Sequence, residues 1–201
     1  MDQLKERIRR EGVVLGSGVL RLDGILNHGA DPALTMAIGE EFARRFAGER
    51  ITKVITVESS GIAPAFATAC ALGVPLVFAR RRKTLLHGSD AYVERVPSFT
   101  KGIVTDLVVA RHLLAADDSL LFVDDMIASG HAARGLLNIV ARSGANIAGI
   151  GIVVEKTFQE GGRLLRELGF RVESLVKIAS LRDGVVRFED EVADGVAEDL
   201  Q

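Results

Sequence analysis

Apolar runs alternate with helical patterns along most of this chain. Leu4 and Ile8 make a turn-spaced apolar pair at the start, with Asp2 as a candidate cap. Asp31-Pro32 reads as an N-cap followed by a first helical residue. Leu34, Ile38, Phe42 and Phe46 then recur at every fourth position and predict a helix with one buried face. Lys53 to Val57 reads as a strand, followed by a helix that stops at Gly73 and a second strand from Leu76 to Ala79. Leu120 to Val123 reads as a buried strand ended by two carboxylates, Asp124 and Asp125. A helix beginning at Gly130 carries Leu136, Leu137 and Val140 on its apolar side. A strand over Ile147 to Val154 follows, with Gly149 and Gly151 allowing close packing. A short helix at Leu164 to Leu168 and a strand from Val172 to Ile178 complete the pattern. This alternation predicts an α/β fold with a mainly parallel sheet. Ligands in such sheets bind beyond the carboxyl ends of the strands.

Residues 80–106 break the rhythm. They are charged and contain Pro97 and the single tyrosine, Tyr92. A long irregular excursion in a compact domain predicts a lid; a hairpin covering an edge or meeting a second copy is the other reading.

The 201 residues suit one domain, expected over residues 1–189, with an acidic, frayed tail over residues 190–201. A net charge of −2 gives no nucleic-acid footprint. Cys70, the lone cysteine, is expected to be a small packing residue within a helix, and it suits a reducing cytoplasm. The charged start lacks a signal-peptide pattern, and no stretch reads as a membrane span. His28, His87, His112 and His131 are too scattered for a metal site. No Gly-Lys-Ser or Gly-Lys-Thr occurs, and no glycine fingerprint follows a strand, so P-loop and Rossmann nucleotide sites are excluded.

The chemistry concentrates after the Leu120 strand. Backbone N–H groups of a small-residue loop, Ala128, Ser129, Gly130, His131 and Ala132, together with a helix dipole, suit a phosphate. Asp124 and Asp125 are able to accept hydrogen bonds from sugar hydroxyls. Ser59, Ser60 and Gly61 form a second loop after the first strand, where Gly61 is expected to permit a tight turn. Arg80-Arg81-Arg82-Lys83 begins at the end of the next strand, and Arg80 and Lys83 are the candidate cations. Taken singly, the acidic pair equally suits a strand end before a Ser cap, the Ser59 loop a helix cap, and the basic run a solvated face.

The ordered stretch from Leu120 to Ala132 resembles the phosphoribosyl-pyrophosphate (PRPP) motif of the type I phosphoribosyltransferase family. Ser129 stands where many relatives have Thr. Further segments, among them Leu26-Asn27-His28, Glu58 to Pro64 and Ile147 to Lys156, resemble its xanthine-using branch. The resemblance implies a parallel sheet with a flexible lid and a small hood built from the first ~30 residues and from residues around 155–180. It implies that Asp124 and Asp125 grip ribose, that Ala128 to Ala132 cradle the 5-phosphate, and that Ser59, Ser60 and Gly61 meet the pyrophosphate. Leu20, Asn27 and Lys156 would hold the base, although from the residues alone they read as a core leucine, a turn asparagine and a surface lysine. It further implies Mg2+ bound with PRPP rather than by a protein cage, and a cytoplasmic homodimer with small-molecule partners only. Other purines as acceptor, adenine or guanine with hypoxanthine, and a non-catalytic PRPP-sensing regulator remain open. Such regulators carry an added DNA-binding domain, for which the dozen or so residues before Val13 are too few.

Overall fold

The computed structural model describes residues 1–16, 18–81, 90–98 and 103–192. Helix α1 (Asp2–Glu11) is followed by a small antiparallel hairpin, β1 (Val13–Leu15) and β2 (Val19–Arg21), and a π-helical turn, Asp23–Asn27. Then come α2 (Pro32–Arg45), β3 (Lys53–Val57), α3 (Ile62–Leu72) and β4 (Leu76–Ala79). A second hairpin, β5 (Ala91–Ser98) with β6 (Ile103–Ala110), precedes β7 (Ser119–Ile127) and α4 (His131–Ser143). The chain continues through β8 (Asn146–Lys156), α5 (Gly161–Glu167), β9 (Val172–Arg182) and β10 (Val185–Phe188).

The central sheet has the order β10-β9-β8-β7-β3-β4. All neighbours are parallel except the edge strand β10. Both faces are covered, which explains the nearly continuous apolar strands. On one face Leu4 and Ile8 of α1 and Leu34, Ile38, Phe42 and Phe46 of α2 are buried with Leu121 and Val123 of β7. On the other, Leu136, Ile139 and Val140 of α4 join Leu107 of β6 and Leu120 and Phe122 of β7. Gly149 and Gly151 do what their spacing suggests. A β-carbon on Gly151 would lie 2.8 Å from the Phe42 ring, and one on Gly149 would meet Phe46.

Several expectations change. Asp31 caps α2, accepting from the Leu34 N–H at 3.0 Å, but Asp2 is already inside α1 and caps nothing. Cys70 is exposed on the outer side of α3 rather than packed. Within 80–106 the described residues 91–98 and 103–106 belong to the β5–β6 hairpin, the alternative reading of this stretch. The hairpin rests on α4, with the Arg142 guanidinium donating to the Val93 carbonyl at 2.8 Å. It also joins the main sheet where Arg80 and Val108 exchange backbone hydrogen bonds of 2.9 and 2.8 Å. Of the residues 80–106 expected to close as a lid, 82–89 and 99–102 lie outside the described residues. Order also runs past the expected start of the tail. Asp190 and Glu191 pair with Lys5 and Arg9 of α1, whose cationic groups sit 5.7 and 4.9 Å from the centre of the Phe188 ring.

Candidate active site

The chain reverses its direction of travel across the sheet between β3 and β7. From β3 it moves outward to β4, and from β7 it moves the other way to β8 and β9. Such a switch point leaves a crevice beyond the strand ends. A cavity of 420 Å³ lies there, lined by Glu58, Ser59 and Ser60 after β3, Asp124 to Ile127 of β7, and Ala128 to Ala133.

Asp124 and Asp125 belong to β7 itself and do not end it. Asp124 pairs in register with Ile152, and the ladder continues to Ile127 opposite Glu155. The parallel neighbour supplies hydrogen bonds that override the polar side chains as a stop signal. Burial raises the pKa of both carboxyls. Asp124 rises furthest, because the charge on Asp125 adds to the desolvation. A pair in this state calls for donors or a cation, and sugar hydroxyls supply donors.

Past β7, Gly130 sits at φ 78 and leads into α4 at His131. That left-handed residue turns the loop toward the cavity. The Ser129 hydroxyl lies 2.7 Å from His131 Nδ1. All five of the loop residues predicted to cradle a phosphate line the cavity.

Ser59 and Ser60 line it as well, whereas Gly61 stands just behind them. Its backbone, at φ −67, needs no glycine for conformational reasons. What requires glycine is space, because a β-carbon would come closer than 3.0 Å to Asp124 Oδ1 and Thr56 Oγ1. The Glu58–Ser59 peptide bond is cis.

Among the basic residues the assignment shifts by one. The Arg80 Nε pairs with Glu58 Oε2 at 2.9 Å, and its guanidinium sits 5.8 Å from the Phe78 ring centre. Arg81 is the residue that lines the cavity. Its backbone N–H donates to Glu58 Oε1 at 2.5 Å and its Nε to the Glu58 carbonyl at 2.9 Å. The edge bridge at Arg80 sets which side chain turns inward, and that bridge is not visible in a run of like charges. Lys83 lies outside the described residues.

A second cavity of 770 Å³ adjoins the first and shares Arg81, Ala128, Ser129, His131 and Ala132 with it. Its far side holds Gly18, Val19, Lys156, Phe158 and Gln159. Lys156 ends β8 and is 7% exposed. Its ammonium donates to the Gly18 carbonyl at 2.9 Å, a carbonyl partner rather than a carboxylate. Burial lowers its pKa. Asn27 lines the first cavity, and its Oδ1 accepts from the Leu22 N–H at 2.9 Å, closing the π-helical turn. Leu20 does not come forward with them: it is 6% exposed and packs in the core.

Sequence reasoning missed Phe158, Gln159 and the pair Gly161-Gly162, which brings α5 against the Ala128–Ala132 loop. The Gly161 N–H donates to the Ala128 carbonyl at 2.9 Å. The doubled glycine was the available signal. Among the described residues no group of three or more His, Cys, Asp or Glu side chains could hold a metal ion. No helix among them is long and apolar enough to cross a membrane.

No protein-family model matches the chain. Curated relatives do. It is 54% identical over 192 residues to the xanthine phosphoribosyltransferase of Geobacillus thermodenitrificans, covering 96% of this chain and 99% of that one. It is 52% identical over 188 residues to the xanthine phosphoribosyltransferase of Moorella thermoacetica, covering 94% and 96%. Solved structures with the same fold include the adenine phosphoribosyltransferase of Rhodothermus marinus, with a TM-score of 0.70 at 21% identity over 89% of this chain and 100% of that one. The Giardia lamblia enzyme complexed with 9-deazaadenine gives a TM-score of 0.71 at 23% identity, over 82% and 89%. With its fold shared with solved phosphoribosyltransferases and about half its residues shared end to end with curated relatives, the chain belongs to the xanthine phosphoribosyltransferase family.

Proposed function

We propose that this protein transfers the 5-phosphoribosyl group from PRPP to N9 of xanthine, giving xanthosine 5-monophosphate and pyrophosphate in purine salvage. The observation that carries the reading is the shared wall of the two cavities. A carboxyl pair and a phosphate-type loop occupy one side of it, and a buried lysine with no carboxylate partner among the described residues stands on the other.

In this reading the 5-phosphate takes the N–H groups of the Ala128–Ala132 loop, and the ribose hydroxyls donate to Asp124 and Asp125. The pyrophosphate lies toward Ser59, Ser60 and Arg81. N9 of the xanthine anion, its imidazole proton already released to solvent, forms its bond to ribose C1 as the bond from C1 to pyrophosphate oxygen breaks, leaving the electron pair on pyrophosphate. Arg81 then stabilises charge growing on the leaving group, while the carboxyl pair orients a sugar ring with oxocarbenium character. The donor set fits magnesium, since carboxylate and hydroxyl oxygens suit a hard cation, with substrate oxygens completing its shell. Held there with PRPP, magnesium would neutralise the departing pyrophosphate.

Lys156 accounts for the choice of base. A desolvated ammonium favours a base that presents a carbonyl oxygen or a negative charge, and xanthine, the most acidic of the common purines, offers both. Adenine presents an amino group instead. Asn27, with its Oδ1 already engaged, has amide N–H donors left for a base or sugar oxygen.

The test offers xanthine, guanine, hypoxanthine and adenine separately with magnesium and PRPP and identifies the nucleotide formed. Preferential XMP formation supports the reading; preferential AMP formation overturns it. A homodimer goes with the proposal, supported by the exposed apolar side chains Met36 on α2 and Phe66 on α3. Sedimentation at assay concentration checks it. A cytoplasmic location is proposed on the same footing, with an exposed single cysteine that makes no internal disulfide.

A further inference from the structure

Glu155 precedes Lys156 on β8 and is 2% exposed. Its carboxylate takes both arms of the Arg166 guanidinium from α5 at 2.7 Å each. The Ser174 hydroxyl of β9 donates to it as well. None of these three residues lines either cavity. Burial alone would raise the Glu155 pKa, but the bonds from Arg166 and Ser174 outweigh it and hold the carboxyl below its ordinary value.

The helix so anchored is only 7 residues long, too short to persist without tertiary support. Its first residue, Gly161, touches the phosphate loop. Besides its N–H bond to the Ala128 carbonyl, a β-carbon on Gly161 would lie 2.7 Å from the Gly130 nitrogen and 2.9 Å from the Ser129 carbonyl carbon. On the other side, a β-carbon on Gly162 would overlap the Glu155 carboxylate. Gly130, at φ 78, would set its own β-carbon 2.9 Å from Gly161 Cα. Loop, glycine pair and carboxylate therefore stack without slack, and a shift of α5 relative to β8 must move the Ala128 carbonyl.

We propose that Glu155 and Arg166 are positioning residues for the phosphate loop: their buried ion pair fixes α5, and Gly161 passes that position to Ala128. The inference rests on the reading of Ala128 to Ala132 as the 5-phosphate cradle. Because Lys156 is the next residue of the same strand, the ion pair also sets the height of the phosphate loop relative to the base side. A bidentate guanidinium suits this role, because its fork fixes orientation as well as distance.

The test measures PRPP and xanthine KM separately for E155Q, R166K and G161A, at a temperature well below each melting point. The expected result for E155Q is a PRPP KM raised about tenfold with the xanthine KM changed less than about twofold. R166K, which keeps the charge but not the fork, falls between E155Q and the unchanged protein. G161A leaves the ion pair in place but presses on the loop directly, and it calibrates the PRPP-selective defect of a displaced loop; R166K keeps the proposal testable if E155Q does not fold. A lower melting temperature with both KM values unchanged would mean that the pair is structural only and would overturn the proposal. Amide hydrogen exchange over residues 128–132 supplies a readout free of ligand. Faster exchange there in E155Q supports the coupling, and unchanged exchange overturns it, even if the unsubstituted protein were found not to bind PRPP.

Discussion

The Asp124 carboxylate occupies the space that a side chain on Gly61 would need, so the loop after β3 and the acidic pair of β7 fit together only because residue 61 is glycine. Thr56 closes the other side of that space with a buried hydroxyl that has no hydrogen-bond partner among the described residues. Gly61→Ala is therefore expected to destabilise the protein by about 1–3 kcal/mol through overpacking, despite a backbone conformation that alanine tolerates. Denaturant unfolding measures the stability, and calorimetry with PRPP measures the accompanying loss of affinity.

The carboxyl pair carries a stability cost whose sign follows from its pKa shifts. Both values are raised above 3.8, so between that pH and the raised values the folded chain holds protons that the unfolded chain has released. Stability contributed by the protonated pair is fully present below 3.8 and is lost as pH rises through the folded values. Asp124→Asn removes the cost. It is expected to melt at a higher temperature than the unsubstituted protein near neutral pH, with the gap closing below 3.8. Asp125→Asn should weaken PRPP use severely while leaving the fold intact. Full activity in that variant would contradict the ribose role.

Lys156→Ala should raise the xanthine KM by at least about tenfold and the PRPP KM far less, since the ammonium faces only the second cavity. It should also narrow the preference for xanthine over adenine. Initial rates at saturating co-substrate separate the two effects.

Two neighbouring arginines should behave differently. Arg81→Ala is expected to lower kcat/KM for PRPP by about 10²-fold or more, as loss of a group stabilising transition-state charge does. Arg80→Ala removes an ion pair whose guanidinium side chain is 47% exposed, and it should change kcat/KM less than about threefold. Equal effects would mean that both reach the pyrophosphate.

Much of the fold was legible where a local signal agreed with the final packing. The Leu34–Phe46 face, the Asp31-Pro32 start of α2 and the Gly73 stop of α3, at φ 67, all appear as read. The β1–β2 hairpin was not legible, because strands of 3 residues carry too little alternation to stand out, and neither was β10, whose 4 residues include Arg187. The hairpin of β5 and β6 stood only as the alternative to a lid, because charges such as those of Arg95 and Asp106 interrupt its apolar pattern. Leu20, a base contact only through the resemblance, is the core leucine that the residues alone suggest, packed with α1 and the π-helical turn.

By itself the sequence determined the alternation of strands and helices, the acidic pair and the loop after it, since each rests on residues adjacent in the chain. The tertiary structure decided what depends on distant segments meeting. It carried β7 through the carboxylates by pairing them with β8, turned Arg81 inward in place of Arg80, and made Gly61 necessary through Asp124. It also drew Glu155 and Arg166 together behind the Ala128–Ala132 loop. Space and desolvation belong to the packed molecule, and no local pattern encodes them.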